Sequence, residues 1–334
     1  CSSLAKVSNR QWMFDQNQLF RTHGLGNFED LVQRVSVQPA MLRYLDNDRN
    51  VAGSPNENFA REVMELFTLG VGNYSEDDVT ESARAWTGHT LTEDGAYVFD
   101  SGDHDFGNKT FFGDTRDWDG PGVLNHIING PKKSIVARYI ATKMWSFFAY
   151  PNPEPAVIDT VAAAFESGGM EIKPLIRAIL LHPQFRSTKA KNGLIRSPIE
   201  FVVAAMRQSG FGCDVARPEW TLHSMGQEPY VPPNVSGWKQ NGYWVNSSGL
   251  WAKSKFASRI RWRLYHLDEL DGSSSTTPAQ AADAALARFG IVAPTASTRN
   301  SLIAYVENER ANTSWGERAG LLYLPLLTPE FQLA

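Results

Sequence analysis

The chain has 334 residues, 42% of them hydrophobic and 20% charged, with a formal net charge of −4. That balance suits a globular protein of one large domain or two smaller ones, and it leaves no basic footprint for nucleic acid. No apolar run approaches the ~20 residues that span a bilayer, and Cys1 and Cys213 alone make neither a disulfide framework nor a four-cysteine zinc site.

Helical periodicity dominates from the start. The pattern predicts helices near 10–22, 28–35, 39–45, 55–69 and 76–86. Ser75 is a candidate N-cap for the last of these, with Asp77 and Asp78 in its first turn. From Thr90 to Asp119 the pattern breaks into Gly, Asp and aromatics, read as a long loop with a small hairpin. Helices resume near 122–129, 133–149, 155–166, 172–181 and 198–209. Pro151-Asn-Pro-Glu-Pro155 breaks the chain sharply, as a domain boundary or simply as a helix start. A second irregular stretch runs from Gly226 to Gly249, followed by helices near 250–266, 278–289, 297–309 and 317–326. The expected fold is all-α: a multi-helix main domain over 1–270 with two long loops, then a Ser-rich linker and C-terminal helices over 271–334 packed on it.

Pro55 to Gly70 is the richest segment. Phe59, Val63 and Leu66 recur at helical spacing, and Gly70 suits a left-handed exit. Glu57, Arg61 and Glu65 share one face, with Glu62 beside them. Because the apolar face is nearly continuous, we expect this helix in the core, with Arg61 paired to Glu57 or Glu65.

Asn56-Glu-Asn-Phe-Ala-Arg-Glu62 with Met64-Glu-Leu-Phe-Thr-Leu-Gly70 resembles the signature of the bacterial domain of unknown function 1800 family. The likeness extends from Gly26-Asn-Phe28 and Pro39-Ala-Met-Leu-Arg-Tyr-Leu-Asp46 through Gly72-Asn-Tyr74, Asp78-Val79, Thr87-Gly88 and His104-Asp105 to Pro232-Pro-Asn-Val-Ser-Gly-Trp238 and Trp244. The resemblance implies export, hence a periplasmic or extracellular location. There are two departures. The family usually has an aromatic, commonly Trp, where His89 stands. Its Trp-His-x-His-Phe element, usually ahead of a segment like Ser2-Ser-Leu-Ala-Lys-Val7, is not present, so the chain is expected to be the later part of a longer domain.

Three constellations carry candidate chemistry. Glu62 and Glu65 form a carboxylate pair that can divide general acid and base roles, with Arg61 as a substrate contact; the alternative is a structural ion-pair network. His104 and Asp105 add a general base or a ligand for a divalent metal; the alternative is a solvated acidic turn. Asn234, Trp238 and Trp244 offer amide and ring contacts to a polysaccharide; the alternative is a loop packed across the core. No nucleophile elbow, H-E-x-x-H or P-loop occurs. The leading expectation is an exported acid–base enzyme acting on a polysaccharide or other polymer, with the two loops converging over the 55–70 helix. The alternative is a non-catalytic binding or scaffold protein that docks another exported protein through its aromatic loops.

Overall fold

The computed structural model describes residues 2–264, 276–312 and 316–334. The fold is mainly helical, as the periodicity predicts, with two small two-stranded antiparallel sheets. The Ser-rich linker expected at 271–277 lies largely outside the described residues. The chain divides into two compact units: Cys1–Ala190 with Tyr230–Trp238, and Lys191–Pro229 with Lys239–Ala334.

Unit 1 holds α1 (Arg10–His23), α2 (Phe28–Ser36), α3 (Pro39–Tyr44), α4 (Glu57–Glu62), α5 (Glu76–Ala85), α6 (Gly120–Asn129), α7 (Lys133–Phe148), α8 (Pro155–Ser167) and α9 (Ile172–Leu181). Local chemistry sets where they start. Asn9 and Asn27 accept backbone N–H groups at the heads of α1 and α2, and Ser75 with Asp78 forms a capping box on α5. Pro155 opens α8, so the Pro151–Pro155 break is a helix start within unit 1. The Thr90–Asp119 excursion carries two hairpins. In the first, β1 (His89–Leu91) pairs with β2 (Tyr97–Phe99), and in the second β3 (Lys109–Phe111) pairs with β4 (Asp114–Arg116). The core gathers Trp86, Trp145, Tyr150, Phe59, Phe111 and Phe165, with Phe59 edge-on to Trp86 at 4.8 Å between ring centroids.

Unit 2 holds α10 (Pro198–Ser209), α11 (Cys213–Ala216), α12 (Glu219–Ser224), α13 (Ser247–Leu264), α14 (Pro278–Arg288), α15 (Ala296–Asn312), α16 (Gly316–Leu321) and α17 (Pro329–Gln332). Phe201, Phe256, Phe289 and Phe331 form its centre, with Phe201 edge-on to Phe331 at 5.6 Å. Helices after residue 277 share this core with α10 and α13. They belong to the same compact unit as α10 and α13.

Candidate functional site

The 55–70 segment does not run as one α-helix. α4 ends at Glu62, and Val63–Thr68 winds as a π-helix. Thr68 Oγ1 donates to Val63 O at 2.6 Å, a contact five residues back that fits the wider turn. Gly70 closes the segment at φ +80°, and a Cβ there would lie 2.9 Å from the Tyr139 ring. The Tyr139 hydroxyl donates to Glu65 O and Leu66 O at 3.2 and 3.0 Å, and Lys143 Nζ donates to Leu66 O at 3.0 Å. Two side chains from α7 thus partner carbonyls of the widened turn. Short π-turns are rare and concentrate at functional sites.

The charges sort into tethered and untethered groups. Arg61 pairs with Glu57 at 3.1 Å, as expected, and also with Glu76 on α5 at 2.6 Å. Both acids raise its pKa, Glu76 most. This network is not buried: the Arg61 side chain is 33% exposed and Glu76 76%. The core expectation holds for the apolar face of the segment, while its charged face reaches solvent. Glu57 also accepts from Thr80 Oγ1 at 2.8 Å. Glu65 accepts from the Tyr74 hydroxyl at 2.7 Å; burial and that bond push Tyr74 up to about 12.

Glu62 differs. It is half-buried, one carboxyl oxygen is fully buried, and that oxygen has no protein hydrogen-bond partner. Burial raises its pKa first and the nearby Glu65 charge adds to it, with Arg61 opposing. Burial and the Glu62 charge in turn raise Tyr44. A carboxyl held this way is poised to carry a proton.

His104 and Asp105 are tethered elsewhere. His104 is buried, with Nδ1 2.8 Å from Thr87 O and its ring between Phe99 and Phe106. Asp105 pairs with Arg84 at 2.7 Å, which lowers its pKa, and its backbone N–H donates to Thr87 Oγ1. Gly88, at φ +79°, lets this turn close: a Cβ there would sit 2.5 Å from Asp100 O. Among the described residues no hydrogen bond or ion pair joins His104 or Asp105 to Glu57, Glu62 or Glu65. Arg84 and Thr87 capture them first, and they anchor the loop. Nor do any three or more His, Cys, Asp or Glu side chains among the described residues form a cluster able to hold a metal.

The Tyr230–Trp238 loop belongs to unit 1 and is pinned at its head, where Leu4 N donates to Tyr230 O and Ser3 Oγ to Pro232 O. Asn234 is exposed and accepts from Ser236 Oγ; Trp238 is half-buried, with a buried indole N–H that has no protein partner. Trp244 lies in unit 2 and is 4% exposed against Tyr243, so its faces are not free to stack on a ligand. The exposed ring of that pair is Tyr243.

The profile described as "Protein of unknown function (DUF1800)" matches residues 1–333. The chain belongs to the DUF1800 family. No curated protein and no solved structure matches it. The departure at His89 now has a location. In this DUF1800 chain His89 is 3% exposed, 4.6 Å from the Trp86 ring and 5.1 Å from Phe99, with Nδ1 3.0 Å from the Tyr97 hydroxyl. Burial first, then the charge of His104, push its pKa down to about 4. The imidazole occupies an aromatic slot as a neutral ring. Sequence reading marked the unusual residue but not its burial. The π-turn left no sequence signal, because its apolar residues still fit a helical stripe.

Proposed function

We propose that this DUF1800 chain is an exported acid–base enzyme acting on a polymer, with Glu62 as the proton donor. The observation that carries the reading is the Glu62 carboxyl: half-buried, one oxygen unpartnered, its pKa raised, at the entry to a π-turn. Glu65, three residues on and held by Tyr74, is the second carboxyl such chemistry needs, as general base or nucleophile. Arg61 and Glu57 hold the outer face of the segment, and Tyr139 and Lys143 hold its inner carbonyls. Polysaccharide is the polymer class that suits the exposed rings of unit 2. Trp220, Trp251, Trp262 and Tyr243 are each more than half exposed, and flat rings stack on the apolar faces of sugars. Export rests on the family resemblance; no helix among the described residues is long and apolar enough to cross a membrane.

The test is release of reducing ends from a panel of neutral and acidic polysaccharides. Glu62→Gln should lower turnover roughly 10²–10⁴-fold while leaving substrate affinity in place. Turnover by Glu62→Gln at the wild-type rate, or no turnover of any polymer by the wild type, overturns the enzyme reading. Saturable binding without turnover points to the second reading, a binding protein, which the exposed rings of unit 2 favour.

A further inference from the structure

A cavity of about 220 Å³ lies against the π-turn, within unit 1. α1 contributes Phe20, α2 contributes Leu31, Val32 and Val35, and the π-turn contributes Leu66 and Phe67, all only half-buried. Phe28, Met41 and Phe59 form its floor. Two lining residues are polar. Ser36 is satisfied internally, its hydroxyl donating to Val32 O at 2.8 Å. The other is Lys143, which carries the only formal charge in the lining.

The Lys143 ammonium has neutral partners only. It donates to Leu66 O, and the Tyr139 hydroxyl stands 3.5 Å away. Among the described residues no carboxylate pairs with it, and no Asp or Glu lines the cavity. An ammonium has three donors, so at least one stays available. Burial also pulls Lys143 down from its ordinary 10.5, the mark of a cation short of compensation.

We propose that this cavity binds a small apolar carboxylate, with its hydrocarbon body among α1, α2 and the π-turn and its carboxylate on Lys143. Size fixes the body. An apolar cavity of about 150 Å³ stays dry and accepts benzene, so 220 Å³ takes one substituted ring or a short alkyl chain. Charge fixes the head: an apolar cavity with one uncompensated cation selects an anion over a neutral or cationic relative. Lys143 is solvent-exposed as well as part of the lining, so a carboxylate paired with it keeps contact with water. Leu66 O, a Lys143 acceptor, belongs to the same turn that carries Glu65, so occupancy bears on the conformation of the π-turn. The binding claim is independent of the proposed catalysis, and its test uses no turnover.

Octanoate, octanamide and octylamine serve as probes, titrated into the 334-residue chain near pH 7.5 by calorimetry and by methyl NMR shifts of the lining leucines and valines. Octanoate should bind saturably and perturb Leu31, Val35 and Leu66, at least tenfold tighter than octanamide. Lys143→Gln should erase that preference and leave octanamide binding unchanged. Lys143→Glu should reverse it, favouring octylamine. Both variants remove the ammonium donor to Leu66 O, so circular dichroism and the thermal midpoint are read beside binding, and octanamide binding equal to the wild type marks an intact cavity. The proposal is overturned if octanoate shows no saturable binding, if its shifts fall outside the lining, if octanoate and octanamide bind the wild type equally, or if Lys143→Gln binds octanoate as the wild type does.

Discussion

His89 makes the chain acid-sensitive in a calculable way. Its pKa falls from an ordinary 6.5 to about 4 in the folded protein. The folded value is the lower one, so between those limits the unfolded chain binds a proton that the folded chain refuses. Stability present above pH 6.5 is therefore lost as pH falls through that window. At about 1.4 kcal/mol per decade, the full span is worth about 3 kcal/mol, of which about 2 kcal/mol goes between pH 6.5 and 4.5. The side chain is 3% exposed, so solvent screening removes little of this. Carboxylates lose stability in acid too, so the diagnostic is a difference. His89→Phe fills the same aromatic slot without a proton site. Urea denaturation of both proteins should show the wild type losing about 2 kcal/mol more than the variant over that interval. ¹H–¹³C NMR of the imidazole reads the pKa directly. A His89 titration at or above pH 6, or parallel acid curves for the two proteins, would refute the assigned burial.

Other substitutions separate buried from surface interactions, each read as a change in denaturation midpoint. Arg61→Ala should cost only roughly 1 kcal/mol, because its ion pairs reach solvent; a loss above about 3 kcal/mol would mean a buried network. Lys109 is 0% exposed and donates to Gly107 O and Asp117, so Lys109→Ala should cost more, about 2–3 kcal/mol; a change under 1 kcal/mol would contradict that burial. Gly70→Ala combines a left-handed φ with a 2.9 Å approach to Tyr139 and should lower stability by about 1–3 kcal/mol; no loss would show that this exit is not held as described. Glu62 has a raised folded pKa, so its contribution is present below the usual carboxylate range and is lost as pH rises through the folded value. Glu62→Gln should therefore stabilise the protein at pH 7 relative to pH 4, and the opposite trend would remove the case for a proton donor.

The helical frame was readable because its signals are local. Ser75 and Asp78 mark the start of α5 three residues apart, and Pro155 and Pro198 mark theirs. The spacing of four residues makes Glu57 and Glu65 equal candidates for Arg61, and the fold selects Glu57. Glu76, the second Arg61 partner, was invisible because it comes from another helix, and its exposure is what lowers the worth of that network. Trp244 and Tyr243 are adjacent rings in one motif; only the packing of unit 2 decides that the first is buried and the second exposed. The partners of His104 and Asp105 are not legible in the sequence. Thr87 and Arg84 lie 17 and 21 residues back, and nothing in the spacing announces them.

The chain leaves unit 1 at Ala190 and returns to it for Tyr230–Trp238. On the ribosome that gap becomes a delay. Helices α1 to α9 are complete when Leu181 is made, yet Ser3 and Leu4 still lack their acceptors, and the core position that Val235 covers is still bare. At about 5–20 residues per second, the roughly 40 intervening residues take some 2–8 s to arrive. For that interval the nascent chain carries α1 to α9 with one apolar seat open. A stop anywhere between residues 190 and 230 would make that condition permanent.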